Sequence, residues 1–243
     1  MTARCPSALL VHGAGGGGWE WNIWLGVMRA HGFDSHAPDL RPAATGFATT
    51  TLDEYVLQVR ACLRALPRPR VLVGASLGGL VAAMCAGDGD ALVLVNPLPG
   101  RPWHSQLPAR EWNEAVPWQR EARLAGTQSA LGDADSASAL FAYRRWQDQP
   151  GAPLRSAWRG VEVATPACPV LFVVSKDDDD VPPAIALATA AAWDASFLQT
   201  LSTRHAGPLL GERAAETAEQ AVAWLNKMLS EPADSDPVRA PAP

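Results

Sequence analysis

Ser76 lies in Gly74-Ala75-Ser76-Leu77-Gly78, between the apolar run Arg70-Val71-Leu72-Val73 and the helix-forming stretch Leu80-Val81-Ala82-Ala83-Met84. A serine at a sharp strand-to-helix turn has its hydroxyl lifted clear of the sheet. Small residues two before and two after it let the backbone turn without Cβ clashes. The chemistry such a hydroxyl can do is attack on a carbonyl. It is a poor nucleophile at neutral pH, so it needs a base within hydrogen-bond reach and a carboxylate to orient that base. His205, in Thr203-Arg204-His205-Ala206-Gly207-Pro208, is the base that the chain offers downstream of the serine. Asp177-Asp178-Asp179-Asp180 follow directly on the apolar run Val170 to Val174, and one of the four is the expected acid. At least two of the others should be solvated, because crowded carboxylates repel one another when desolvated.

A second segment with chemical potential is Leu10-Val11-His12-Gly13-Ala14-Gly15-Gly16-Gly17-Gly18-Trp19-Glu20-Trp21, which runs from an apolar strand through a glycine loop into a helix. A phosphate-binding loop would need a lysine followed by serine or threonine at its end, or the glycine spacing of a dinucleotide turn, and neither is present. The loop is therefore expected to present backbone N–H groups to something other than a nucleotide. No motif in the chain implies a cofactor or a metal.

These residues must be positioned by a sheet. Ala8 to Val11, Val71 to Gly74, Ala91 to Val95 and Val170 to Val174 are short, nearly continuous apolar runs bounded by glycine or proline, as strands buried on both faces should be. Ser35 to Ala37 and Ser196 to Leu201 are weaker strand candidates. Helical periodicity covers Trp19 to Ala30, Leu52 to Leu66, Leu77 to Ala86, Ala184 to Ala192 and Arg213 to Leu229. Strand and helix alternate, which predicts an α/β fold with a mostly parallel sheet of about six strands and helices on both faces. The serine turn, the aspartate run and His205 then all follow strand ends, where open α/β sheets place their sites.

Between the strands near Asn96 and Pro169 the chain is too long for a plain loop. Residues 98–165 are expected to form a mainly helical cap inserted in a core made of residues 1–97 and 166–230. The insertion holds Trp103, Trp112, Trp118, Trp146 and Trp158, five of the ten tryptophans, which would line or roof a pocket or hold the insertion to the core. His104, also in the insertion, reads as solvent-facing. Residues 231–243, rich in proline, alanine and aspartate, read as a disordered tail.

The 243 residues are 48% hydrophobic and 19% charged, enough for one large domain with a full core. The net charge of −5 gives no basic face to neutralise phosphates, so nucleic acid is not an expected partner. Ala8-Leu9-Leu10-Val11 is too short for a signal-peptide core, and no apolar run approaches a membrane span. Cys5, Cys62, Cys85 and Cys168 lack metal-ligand or redox spacing and read as buried free thiols of a cytoplasmic protein. The expected partner is a small-molecule substrate, with no membrane; oligomeric state is not set by these features.

The serine, acid, histidine order, each on a loop after a separate strand, resembles that of an α/β hydrolase. The segment from Pro169 to Asp178 is similar to the family's pattern of proline, strand, glycine, two residues and aspartate, with Ser175 in the usual glycine place. Counting forward from Pro169 or backward from Pro182 selects Asp178 as the acid, with Asp177 as runner-up. By the same resemblance the N–H groups of Ala14 and Leu77 form an oxyanion hole, and His12 braces the glycine loop. Ala37-Pro38-Asp39-Leu40, Thr51-Leu52-Asp53-Glu54-Tyr55 and Gly74-Ala75-Ser76-Leu77-Gly78-Gly79, with the His-Gly-Ala and Trp-x-Trp pattern, resemble the branch that holds plant methyl esterases and hydroxynitrile lyases. The resemblance implies a trimmed sheet without the antiparallel hairpin of larger members. It weakens in the insertion, where substrate choice lies.

The resulting expectation is a serine hydrolase acting on a carboxylic ester or thioester of a small, apolar or aromatic substrate. Lyase, elimination or cyclisation chemistry on the same fold is the alternative, since fold does not fix reaction. The hydroxynitrile lyases of the branch depend on a lysine near the site, and Lys176 is a poor match for it. A small-ligand receptor without turnover is a third possibility, disfavoured because all three residues of a triad are present.

Overall fold

Apolar side chains on both sides of a strand require a layer of helices over each face, and that is the architecture found. The computed structural model describes residues 5–230, and the expected tail over 231–243 lies outside them. Six parallel strands form the sheet: β1 (Ser7–Val11), β2 (Asp34–His36), β3 (Arg70–Ala75), β4 (Ala91–Val95), β7 (Val170–Ser175) and β8 (Ser196–Thr200), in the order β2-β1-β3-β4-β7-β8. Two short strands lie apart from it. β5 (Ala115–Val116) and β6 (Gln149–Pro150) pair antiparallel in the segment between β4 and β7.

Alternate residues of each strand enter different cores. Leu9, Val11, Leu72, Leu92, Leu94, Phe172 and Val174 pack against α2 (Leu52–Ala65), α3 (Leu77–Met84) and α7 (Pro183–Ala192). Ala8, Leu10, Val71, Val73, Val93, Val95, Leu171 and Val173 pack on the opposite face against α1 (Asn22–Ala30) and α9 (Ala214–Ser230), where Trp24, Met28, Val222 and Leu225 are fully buried. The small helix α8 (Gly207–Leu210) joins that layer through Trp24, whose indole N–H donates to the Pro208 carbonyl at 2.9 Å.

The helical periodicity over Trp19 to Ala30 resolves into a 3-10 turn, Gly18–Trp21, followed by α1. The pattern over Leu77 to Ala86 ends as a helix at Met84, because Cys85 has left helical geometry at φ −103° and ψ 1°. Among the cysteines, Cys85 is buried, but Cys5 is exposed and Cys62 and Cys168 are half-buried. The expectation of four buried thiols is corrected accordingly: Cys5 lies before β1, outside the strand whose side chains are covered by helices, and its thiol meets the Gly32 carbonyl beyond α1.

Between β4 and β7 lie α4 (Leu124–Leu131), α5 (Ser136–Tyr143) and α6 (Gly151–Arg159), together with β5 and β6. Among the described residues no helix is long and apolar enough to cross a membrane.

Candidate active site

The chain leaves β1, forms β2 at one side, then returns to place β3 on the other side of β1. This reversal is a topological switch point, where loops at the carboxyl ends of adjacent strands part and leave a crevice. Val11 is in register with Gly74, so the glycine loop after β1 and the serine turn after β3 start side by side. Ser76 adopts φ 52° and ψ −121°, a strained left-handed conformation for a residue with a Cβ. Its neighbours make the turn possible. A Cβ on Gly78 would lie 2.2 Å from the His12 carbonyl oxygen, and one on Gly74 would lie 2.4 Å from the Gly78 carbonyl oxygen. The backbone of α3 thus rests directly on that of β1.

On the far side of β3, the imidazole Nδ1 of His205 and Oδ2 of Asp178 are 2.7 Å apart. The Asp178 side chain is wholly buried. Its other oxygen accepts the N–H groups of Asp180 at 2.9 Å and Val181 at 3.0 Å, so the carboxylate cannot swing away from the ring. Asp177 and Asp179 are exposed, and Asp180 pairs with Arg110 of the insertion at 2.6 Å. Burial alone would push the His205 imidazole down; the Asp178 carboxylate, aided by Asp180 and Glu20, outweighs it and holds the ring above its ordinary value. Asp178, Asp180 and His205 also offer donor atoms within 4.8 Å of one another, but these donors are engaged with each other and with Arg110.

The loop carrying His205 is fixed by Asn96 at the end of β4, a residue that sequence reasoning did not single out. Asn96, at φ 42°, donates from Nδ2 to the His205 carbonyl at 2.7 Å and to Ser175 Oγ at 2.9 Å, and accepts from the Ser175 N–H at 2.8 Å. Ser175 passes the restraint on, its hydroxyl donating to the Arg204 carbonyl at 2.9 Å. Its departure from the family's glycine therefore has a structural use. No sequence pattern marks Asn96; only its place directly after a buried strand hints at it.

The loop after β1 is tied at three points. His12 is buried and ties this loop to the one after β2: Leu40 N–H donates to its Nε2 at 2.8 Å, which makes Nδ1 the protonated nitrogen facing the Gly13 carbonyl, also at 2.8 Å. Burial pushes its pKa down, so it stays neutral and structural. Gly13 N–H donates to Glu20 Oε2 at 3.0 Å, and Gly15 N–H donates to Gln149 Oε1 at 3.1 Å. Glu20 and Gln149 were not anticipated. An acid set between two tryptophans after a glycine run was the available signal for Glu20; Gln149 gave none. The N–H groups of Ala14 and Leu77 donate to no other group among the described residues.

Ser76, His205, Gly13, Ala14 and Glu20 line one pocket of about 330 Å³. From the segment between β4 and β7, Trp112, Trp118, Trp146 and Trp158 line it, whereas Trp103 packs elsewhere against the core. Trp112 stands edge-on to Trp158, with ring centres 5.0 Å apart, and to Trp118 at 5.9 Å. His104 is half-buried, with its ring against Gly160, rather than open to solvent as expected. The Ser76 hydroxyl makes no hydrogen bond to His205 among the described residues. The arrangement places a strained serine, a carboxylate-bound imidazole and the Ala14 backbone at one cavity whose wall mixes tryptophans with Glu20, Arg110, Arg123 and Asp180.

The family model described as the alpha/beta hydrolase family matches residues 8–220. No curated protein matches the sequence. Among solved structures, tomato methylketone synthase I complexed with 2-tridecanone is similar at 14% identity with a TM-score of 0.73, over 93% of this chain and 99% of that one. Polyneuridine aldehyde esterase is similar at 14% identity and TM-score 0.71, over 90% and 100%. A pyrethroid hydrolase from Sphingobium faniae is 22% identical with TM-score 0.69, over 91% and 97%. At these identities the likeness is one of fold.

Proposed function

Because the chain belongs to the alpha/beta hydrolase family, and so to the hydrolase class of enzymes, we propose that it cleaves a carboxylic ester or thioester of a small, apolar or aromatic substrate through Ser76, His205 and Asp178. Ser76 Oγ attacks the carbonyl carbon while His205 Nε2 takes its proton, and Asp178 holds Nδ1–H and stabilises the imidazolium. The oxyanion accepts hydrogen bonds from the Ala14 and Leu77 N–H groups. Collapse expels the alcohol or thiol with the proton from His205 and leaves an acyl group on Ser76. Water, deprotonated by His205, then attacks the acyl-enzyme and releases the acid. A preorganised oxyanion hole contributes about 3 kcal/mol per donor.

The observation that carries this reading is the 2.7 Å contact between His205 and a wholly buried Asp178, in the wall of the pocket that Ser76 and Ala14 also line. The four pocket tryptophans support an apolar or aromatic substrate, since aromatic walls select by shape and stacking. We also take residues 98–165 as a cap over the core, and the four unpaired cysteines as a sign of a reducing, cytoplasmic setting. Lyase chemistry of the hydroxynitrile-lyase kind finds less support, because the exposed Lys176 is not among the residues that line the pocket. The test is turnover of short aryl esters: Ser76→Ala should lower it at least about a thousandfold. Undiminished turnover in that variant would overturn the reading.

A further inference from the structure

Glu20 is a buried acid that the steps above do not use. It is 4% exposed, lines the same pocket as Ser76 and His205, and has no ion-pair partner among the described residues. Its Oε2 accepts the Gly13 N–H at 3.0 Å. The loop passes so close over the carboxyl group that a Cβ on Gly16 would lie 2.0 Å from Oε1, which accounts for glycine there. Two residues beyond Gly13 the insertion grips the same loop. Gly15 N–H donates to Gln149 Oε1 at 3.1 Å, and Gln147 N–H donates to the Gly15 carbonyl at 2.8 Å. Ala14 lies between the two tethers. The peptide that carries its N–H is held through the Gly13 carbonyl, which faces His12 Nδ1 at 2.8 Å and accepts the Gly16 N–H at 3.3 Å, while Glu20 and Gln149 pin the peptides on either side and so fix the two ends of the axis about which it could turn.

We propose that Glu20 is a positioning residue of this active site, which aims the Ala14 N–H at the substrate's carbonyl oxygen by holding Gly13 and whose charge acts on His205 in the same pocket. This rests on the hydrolase reading and extends it to a residue outside the triad.

Burial pushes the Glu20 carboxyl up to about 7, while the Gly13 N–H and His205 pull the other way. The acid thus passes between neutral and charged forms near neutral pH. Several other ionisable groups surround it. His12, on its own loop, is neutral and turned toward Leu40; His205 faces it from the loop before α8. Asp178 and Asp180 stand behind His205 on the loop after β7, with Arg110 of the insertion on Asp180. Asp39, on the loop after β2, accepts the Gly18 N–H at 2.7 Å. A charged Glu20 favours the imidazolium form of His205, so removing that charge lowers the pH at which His205 becomes a base.

The experiment compares wild type, Glu20→Ala and Glu20→Gln on a short aryl ester from pH 5 to 9. Loss of the acceptor in Glu20→Ala should lower kcat by about tenfold or more while KM changes less than about threefold, as for a misaimed oxyanion donor. Glu20→Gln, whose amide oxygen can still accept from Gly13, should restore most of that loss and move the acid limb of kcat/KM down by roughly half a pH unit. The proposal is overturned if Glu20→Ala has wild-type kcat, or if the Glu20→Gln profile superimposes on that of wild type. Should Glu20→Ala fail to fold, the Glu20→Gln profile alone decides. Turnover that survives in Ser76→Ala contradicts the hydrolase reading itself; Ser76-dependent turnover that is indifferent to both Glu20 variants contradicts only the role of Glu20.

Discussion

Glu20 carries a consequence for stability as well as for rate. Its pKa is raised from 4.5 to about 7 in the folded chain, so the folded state holds the proton more tightly than the unfolded one. The sign follows from linkage: its contribution is most favourable below the unfolded value and is lost as pH rises toward the folded value. The loss amounts to about 3 kcal/mol between pH 4.5 and 7, at 1.36 kcal/mol per unit. Chemical denaturation should show wild type losing stability over that range and Glu20→Gln losing correspondingly less; parallel curves for the two proteins would contradict the assignment. At this scale the placement of Ser76 and His205 just beyond the ends of β3 and β8 was legible, because the apolar runs before them mark those strands. Asp178 could not be separated from Asp177 by charge pattern, since only the folded loop decides which carboxylate is buried against the ring. Asn96 and Glu20 were hidden for a related reason: each acts through backbone groups distant in sequence or on a glycine loop, and single polar residues leave no periodic trace.

The strands and helices were the most readable elements. Runs such as Ala91–Val95 are apolar throughout because both faces of the sheet are covered, and that leaves an uninterrupted signature between turn residues. β5 and β6 went unread, because two residues apiece set no period, and α8 is a single turn beginning at Gly207. The serine turn is an element-scale device, held by the contact of α3 with β1. Gly78→Ala should therefore destabilise the fold by at least about 2 kcal/mol, because its Cβ would meet two backbone oxygens, of His12 and Val11, at 2.2 and 2.3 Å. A thermal melt of that variant matching wild type would show that the helix can move away from the strand without cost.

Over the whole molecule, the site forms where the sheet's switch point meets the inserted segment. That the segment between β4 and β7 has structure of its own was evident from a gap between strands too long for a loop; which of its tryptophans reach the pocket was not, because that depends on how the short β5–β6 pair seats it on the loop after β1. Trp112 contacts the rings of both Trp118 and Trp158. Replacing it with alanine should lower kcat/KM for a naphthoyl ester relative to the acetyl ester of the same alcohol by about tenfold, the value of one aromatic contact surface. An unchanged ratio would move the acyl pocket away from this wall.

The most direct measurement of the central claim is the mass of the intact protein after rapid mixing with an activated aryl ester and an acid quench. The account predicts a species heavier by one acyl group, mapped to Ser76 and missing from Ser76→Ala. Full turnover with no acylated species in wild type and an equal rate in Ser76→Ala would contradict it.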